Sequence, residues 1–180
     1  MACALTTGRI LDCKNQVGGI KEVFFADWRV LQDSLTYDAG GQVTDFDAAT
    51  LYRYELKSSA NVFTQDISAS SDTQSVFFTQ TLTIQLADLL PAYRVELGNM
   101  VRNRRLMIFV RDMNDKIHMM GLDQGAEVTA GSITAGGAKG DFVGHTLTFT
   151  AECIAQAAFV EPFTDVPFDN IANATVSPAY

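Results

Sequence analysis

Hydrophobic and polar positions alternate along most of this chain with a period of two, which is the signature of strands with one face buried and one face wet. The clearest case is Gly144–Cys153, where His145, Leu147, Phe149, Ala151 and Cys153 alternate with Thr146, Thr148, Thr150 and Glu152. Ser75–Leu86 is the longest such stretch. It sets Phe78, Leu82, Ile84 and Leu86 inward and Thr79, Thr81, Thr83 and Gln85 outward, and Gln80 interrupts the inner series. Leu51–Lys57 places Tyr52, Tyr54 and Leu56 on one face and Arg53, Glu55 and Lys57 on the other, and Asn61–Ile67 follows closely enough to pair with it as a hairpin. A first strand is expected over Ile20–Ala26, opened by the turn at Gly18 and Gly19 and followed by a polar loop from Asp38 to Asp47.

Two segments break that pattern. Leu86, Leu89, Leu90, Tyr93, Leu97, Met100 and Val101 recur at steps of three and four, which predicts one amphipathic helix over Leu89–Arg102 with Asp88 as N-cap and Pro91 in its first turn. Arg105–Arg111 is apolar on both faces, so it is expected to be covered on both sides. The turn Asp112–Lys116 returns it to a strand over Ile117–Leu122. Small residues dominate between Gly125 and Gly140, which reads as a strand ending in a flexible loop. From Phe159 the chain mixes Phe163, Val166, Phe168 and Ile171 with acids and prolines. That pattern suits either a loose terminus or an arm docked on a neighbouring subunit.

These elements predict a mainly β chain, a β-sandwich or small barrel with one flanking helix, organised as a single domain over residues 1–160 and an extended C-terminal arm over 161–180. With 180 residues, 47% of them hydrophobic, one substantial core is within reach. A formal charge of -8 argues against tight nucleic-acid binding, which needs clustered bases for phosphate. Cys3, Cys13 and Cys153 are odd in number and too widely spaced for a disulfide framework or a metal motif. The first residues lack the basic and apolar regions of a secretory signal, and no run is long and apolar enough to span a bilayer, so a soluble protein made in a reducing cytoplasm is expected.

Candidate chemistry is sparse. His118 and His145 both fall within strand patterns, where a structural role outweighs catalysis. Asp112, Asp115, Asp123 and Glu127 crowd one region but lack the ligand spacing of a calcium loop. Gly136, Gly137, Lys139 and Gly140 lack Walker spacing and precede a strand rather than a helix. No nucleophile elbow is present, no cofactor is implied, and the chain is not read as an enzyme. Arg102, Arg104 and Arg105 form the one basic cluster. At a helix C-terminus they complement the dipole, and they are candidates to meet acids on an adjacent subunit.

The order of strands, one helix after the middle strand, a hairpin, a small-residue loop and a last Thr-faced strand resembles the tube-forming proteins of tailed bacteriophages. The pieces carrying the likeness are Ser75–Leu86, Leu89–Arg102, Arg105–Leu122 and Asp141–Glu152, and the opening Leu5–Lys21 looks like the start of phage virion structural proteins. The resemblance implies a ring of subunits, hexameric and able to stack, forming a tail tube or head-to-tail neck. DNA would pass through it without specific binding, repelled by an acidic lumen, and other tail or neck proteins would be its partners in a virion assembled in the host cytoplasm. Arg102, Arg104, Arg105, Phe163 and Phe168 are then the candidate subunit-interface residues. Two other readings stand beside it: a monomeric β-barrel holding a small apolar ligand, and, less favoured, a hydrolase using the acids between Asp112 and Glu127.

Overall fold

A computed structural model describes residues 7–10, 13–57 and 59–180. In chain order the elements are β1 (Ile20–Asp27), α1 (Trp28–Leu31), β2 (Thr36–Tyr37), β3 (Val43–Asp45), β4 (Ala49–Glu55), β5 (Val62–Ser70), β6 (Ser75–Ala87), α2 (Arg94–Arg102), β7 (Leu106–Asp112), β8 (Ile117–Met120), β9 (Glu127–Thr134), β10 (Gly144–Cys153), β11 (Ala158–Phe159) and β12 (Ala174–Ser177). The chain is mainly β. Six strands form one sheet in the order β11-β8-β7-β1-β4-β12, four form a second in the order β5-β6-β10-β9, and β2 pairs with β3. Neither large sheet closes on itself, so of the two expected forms the chain adopts the open sandwich.

The two sheets pack face to face. Val23 and Phe25 of β1 and Ile108 and Val110 of β7 meet Leu82, Ile84, Leu147 and Phe149 of the second sheet, and Leu97 and Met100 of α2 close the same core. The alternation in β10 therefore has the inner face expected of it. The opposite face of the six-stranded sheet is also covered, as the two-sided pattern of β7 requires. There Phe24, Met107, Phe109 and Met119 pack with Trp28, Leu31, Val43, Phe46, Phe168 and Ile171. A bulge between Ile20 and Glu22 turns Ile20 into the sandwich core and leaves Glu22 on the other face beside Phe24.

Four sequence expectations are corrected. The segment after β4 does not return as its hairpin partner: β4 is flanked by β1 and β12, and β5 pairs instead along the whole of β6. The crossing is fixed by Asn61, buried at 5% exposure, whose Oδ1 accepts the Gln85 N–H at 2.8 Å. The helix begins later than expected. Asp88 takes a left-handed backbone (φ 78) and its carboxylate accepts the adjacent Leu89 N–H, so it caps no helix; Pro91–Tyr93 is a single 3-10 turn, and α2 starts at Arg94. Of its apolar stripe only Leu97 and Met100 are buried, and Leu90, Tyr93 and Val101 stay about half exposed.

The strand after the Asp112–Lys116 turn ends at Met120 because Gly121 turns the chain with φ 88, where an added Cβ would lie 2.8 Å from the Ala126 nitrogen. Its N–H donates to Oε1 of Gln80 at 3.0 Å, so the residue that interrupts the inner face of β6 links the two sheets. The largest correction concerns the tail. Residues 161–180 are neither loose nor an arm reaching outward: Phe168 and Ile171 enter the core on the outer face of the six-stranded sheet, and β12 adds to β4 in parallel.

Candidate assembly surfaces and a buried charge cluster

The second sheet carries the broadest uncommitted surface. Register places Thr83 opposite Thr148 and Thr81 opposite Thr150, with Thr79 opposite Glu152, and Thr64 on β5 faces Thr81. Because cross-strand partners share a face, these threonines form one outer surface, and the Thr83 and Thr148 hydroxyls lie 3.3 Å apart. The carboxylates Asp66, Glu127 and Glu152 belong to this face by the same register, and no lysine or arginine of these four strands does. Its two outer strands are long and mostly exposed. β5 spans nine residues and β9 eight, neither contains lysine or proline, and Ile67 and Ile133 are 69% and 71% exposed. Unpaired strands of that length without such guards are templates for pairing with another chain.

The five candidate interface residues separate into two groups. Arg102, Arg104 and Arg105 are exposed at the end of α2, and the Arg105 guanidinium sits 4.8 Å from the centre of its own Trp28 ring. Phe168 is not available to a partner. At 4% exposure it packs edge-on against Phe24 (5.0 Å) and Phe109 (5.2 Å), because the double-sided β7 needs a cover and the tail supplies it. Phe163 is partly buried and lies over Arg111, 4.7 Å from ring centre to guanidinium.

That contact belongs to a charge cluster the sequence pattern did not reveal. Glu22, 5% exposed, stands opposite Arg111 in the β1–β7 ladder and is ion-paired to it, and Arg53 Nε lies 3.8 Å from its other oxygen. Arg111 also reaches Asp115 at 2.7 Å, Lys21 holds Asp115 at 2.6 Å, and Arg53 holds Glu55 at 2.5 Å. Tyr180 covers Arg53 with its ring at 4.1 Å, with Glu22 as its acidic neighbour. Burial, then that acidic neighbour, pushes the Tyr180 phenol far above its ordinary value. Burial alone lowers the Arg111 pKa, and the hydrogen bonds to Glu22 and Asp115 outweigh it and raise the pKa. The available signal was the charged pair Lys21-Glu22 at the head of an apolar strand.

The Lys21 hydrogen bond, with those of Arg111, holds the Asp115 carboxyl below its ordinary value. A carboxyl lowered in the folded state adds stability that is present above its unfolded pKa near 3.9 and lost as pH falls through the folded one. We expect the urea midpoint to be flat from about pH 7 to 5 and to fall below about pH 4. Asp115→Asn should lower the neutral midpoint by the equivalent of up to ~1 kcal/mol and shallow the acid decline, since the carboxylate is half exposed. Superimposable pH curves for the variant and the parent protein would count against this assignment.

The remaining polar candidates have local partners. Asp112 Oδ1 accepts the Asn114 and Lys116 amides, Asp123 accepts Ile154 N–H, and Asp141 accepts Gly137 and Ala138 within the small-residue loop. His118 lies between Phe63 and Phe159 with Nε2 3.5 Å from Asp112. Cys13 is an exposed free thiol and Cys153 a buried one, its thiol pKa raised by burial; Cys3 lies outside the described residues. Among the described residues no group of His, Cys, Asp and Glu is arranged to hold a metal, and no helix is long and apolar enough to cross a membrane.

Fold and surfaces together define an open two-layer β protein with one face sealed by its own tail and the other bounded by two unguarded edges. No protein-family model, curated protein or solved structure matches the chain.

Proposed function

We propose that this chain is a ring-forming structural subunit of a tailed-phage virion, a tail-tube or neck protein through which DNA passes. The observation that carries the reading is the second sheet, with two long edges that carry neither lysine nor proline and a Thr-rich face between them. Its strands β5, β6, β10 and β9 are antiparallel throughout, so β5 and β9 run in opposite directions. Repeating the chain head to tail about an axis brings β9 of one copy against β5 of the next in antiparallel fashion, and closure leaves no edge open. Six copies with four strands each at about 4.8 Å spacing give a wall roughly 37 Å across at the backbone, before strand tilt widens it. The inner lining is then rich in hydroxyl groups, with three carboxylates and the side chains of Val62 and Phe77 per copy, while Arg104 and Arg105 border one end of it beside Thr79, Glu127 and Glu152. The excess of acids over bases supports passage of DNA without adhesion.

The monomeric ligand barrel has less support. Its cavity requires closure, whereas the space between these open sheets is filled by Phe25, Leu82, Ile84, Ile108 and Phe149, each at most 2% exposed.

Light scattering with negative-stain electron microscopy tests the proposal. Rings or stacked tubes with an open centre are expected. Ile67→Lys and Ile133→Lys, each adding a charge to an exposed edge position, should leave the circular dichroism spectrum unchanged and shift the population to monomers. A compact monomer at every concentration of the unaltered protein would sink the proposal.

A further inference from the structure

A groove of about 780 Å³ runs between β4 and the start of α2, beside the tail at Pro178. Three tyrosines converge on it. Tyr52 and Tyr93 are 55% and 52% exposed, and the half-buried Tyr54 stands edge-on to Phe25 at 5.3 Å, while Leu86 and Leu97 contribute apolar surface. Glu96, Asp88 and Glu55 add carboxylates; of the three basic side chains at the rim, Arg53 is committed to Glu22 and Glu55, which leaves Lys57 and His145. Burial, then the Glu96 charge and the neighbouring tyrosines, raises the Tyr54 pKa, which places all four groups in one electrostatic neighbourhood. Aromatic faces beside carboxylates select a cation carried on an apolar stem.

The same chain offers such a group without using it. Residues 7–10 and 13–18 are exposed throughout and form neither helix nor strand, and Ile10 is 88% exposed. The segment is fastened at Val17, whose N–H and C=O both bond to the Asn114 side chain. In a protein of net charge -8, its first 18 residues carry Arg9 and Lys14 against one acid, Asp12. An apolar side chain flanked by two bases matches a groove of tyrosines, leucines and acids in both charge and polarity.

We propose that this tyrosine-lined groove receives the N-terminal arm of a second copy, with Arg9 or Lys14 against Glu96 and the tyrosine faces and Ile10 on the apolar floor. The assignment rests on the reading that copies of this chain assemble, and it adds a contact separate from the β5 and β9 edges.

The exposed Cys13 thiol provides the test. In a full-length Cys3→Ser background, Ala87→Cys, at the groove rim, is oxidised with copper phenanthroline and run on a non-reducing gel, with Asp47→Cys as an exposed control and light scattering in parallel. A ladder of dimers and higher species is expected for Ala87→Cys, absent for Asp47→Cys, abolished by Cys13→Ser and reduced severalfold by Arg9→Ala with Lys14→Ala. Oligomers in solution without the ladder overturn the arm assignment alone, and so does thiol loss confined to the monomer, which would mean the arm closes on its own groove. Monomers without a ladder overturn both the arm contact and the assembly reading.

Discussion

Glu22→Ala is expected to destabilise the protein by about 3–5 kcal/mol, the range for removing one partner of a buried ion pair. The side chains concerned are 6%, 11% and 16% exposed for Glu22, Arg53 and Arg111, so water reaches none of them freely. Without the carboxylate, Arg53 keeps only the exposed Glu55, and its Nε and Nη1 are already buried without a hydrogen-bond partner. Arg111 keeps Asp115 but loses the charge directly opposite it in the β1–β7 ladder. Tyr180, whose ring lies over Arg53, rests on a guanidinium that has lost its anchor, which loosens the end of the tail. Glu22→Gln should fall between the two, since the amide oxygen still accepts hydrogen bonds but the charge is gone. Urea unfolding by tryptophan fluorescence reads the difference directly, because Trp28 lies in the core on the same face of the sheet. A midpoint shift below the equivalent of ~1 kcal/mol would mean the arginines relax into solvent, and that the cluster does not fix the tail.

The size of that effect also explains what local pattern could and could not disclose. Alternation found β10 to the residue and gave β7 its two covered faces, since those depend only on successive side chains pointing to opposite sides. The same reasoning put Arg53 and Glu55 on a wet face. Glu55 is exposed as expected, but Arg53 is covered by Tyr180, which comes from the far end of the sequence, and periodicity carries no information about a distant cover. The loop from Asp38 to Asp47 hid core residues for a related reason. Val43 and Phe46 are 0% and 2% exposed, yet β2 and β3 are too short to show a period. The four residues of α1 are capped by Asp27, whose carboxylate accepts the Arg29 amide, and are held by the Trp28 indole donating to Leu122 C=O at 2.8 Å; both are invisible to hydrophobic spacing. Of the candidate surfaces, the threonine face was legible strand by strand in β6 and β10. Its two open edges were not, because an edge is a property of strand order.

The two faces of the six-stranded sheet therefore have different relations to assembly. One is largely consumed by the sandwich and the other by the tail, so the free surface of this sheet is confined to the tyrosine groove at β4. What remains for partners is the second sheet, the α2 stripe left half exposed, the basic cluster after it and the N-terminal arm. A tail that completes a core rather than reaching outward makes the single chain a finished block, which in the proposed assembly would precede any contact between copies.

Phe168→Ala tests that statement and should cost about 3–5 kcal/mol, the range for deleting a fully buried phenylalanine. Phe168 adopts φ 69, a left-handed conformation that is unfavourable for a bulky residue, and its packing must offset that strain. The packing is extensive: besides Phe24 and Phe109, the ring lies 6.3 Å from Phe46, which itself stacks on Phe109 at 5.9 Å. Alanine would keep the unfavourable φ and lose the ring, leaving a cavity among the three phenylalanines that pack on it. Its neighbours also depend on it, since Ile171 N–H donates to Phe168 C=O and Ala174 N–H to Ile171 C=O at the start of β12. Because β1 and β7 share this core, the loss should register as a shift of the whole unfolding transition. Hydrogen exchange should report reduced protection in β1 and β7 as well as at Ala174–Ser177. Exchange that accelerates only at Ala174–Ser177, with the global midpoint unmoved, would instead make the tail a separable strap over a sheet that is stable without it.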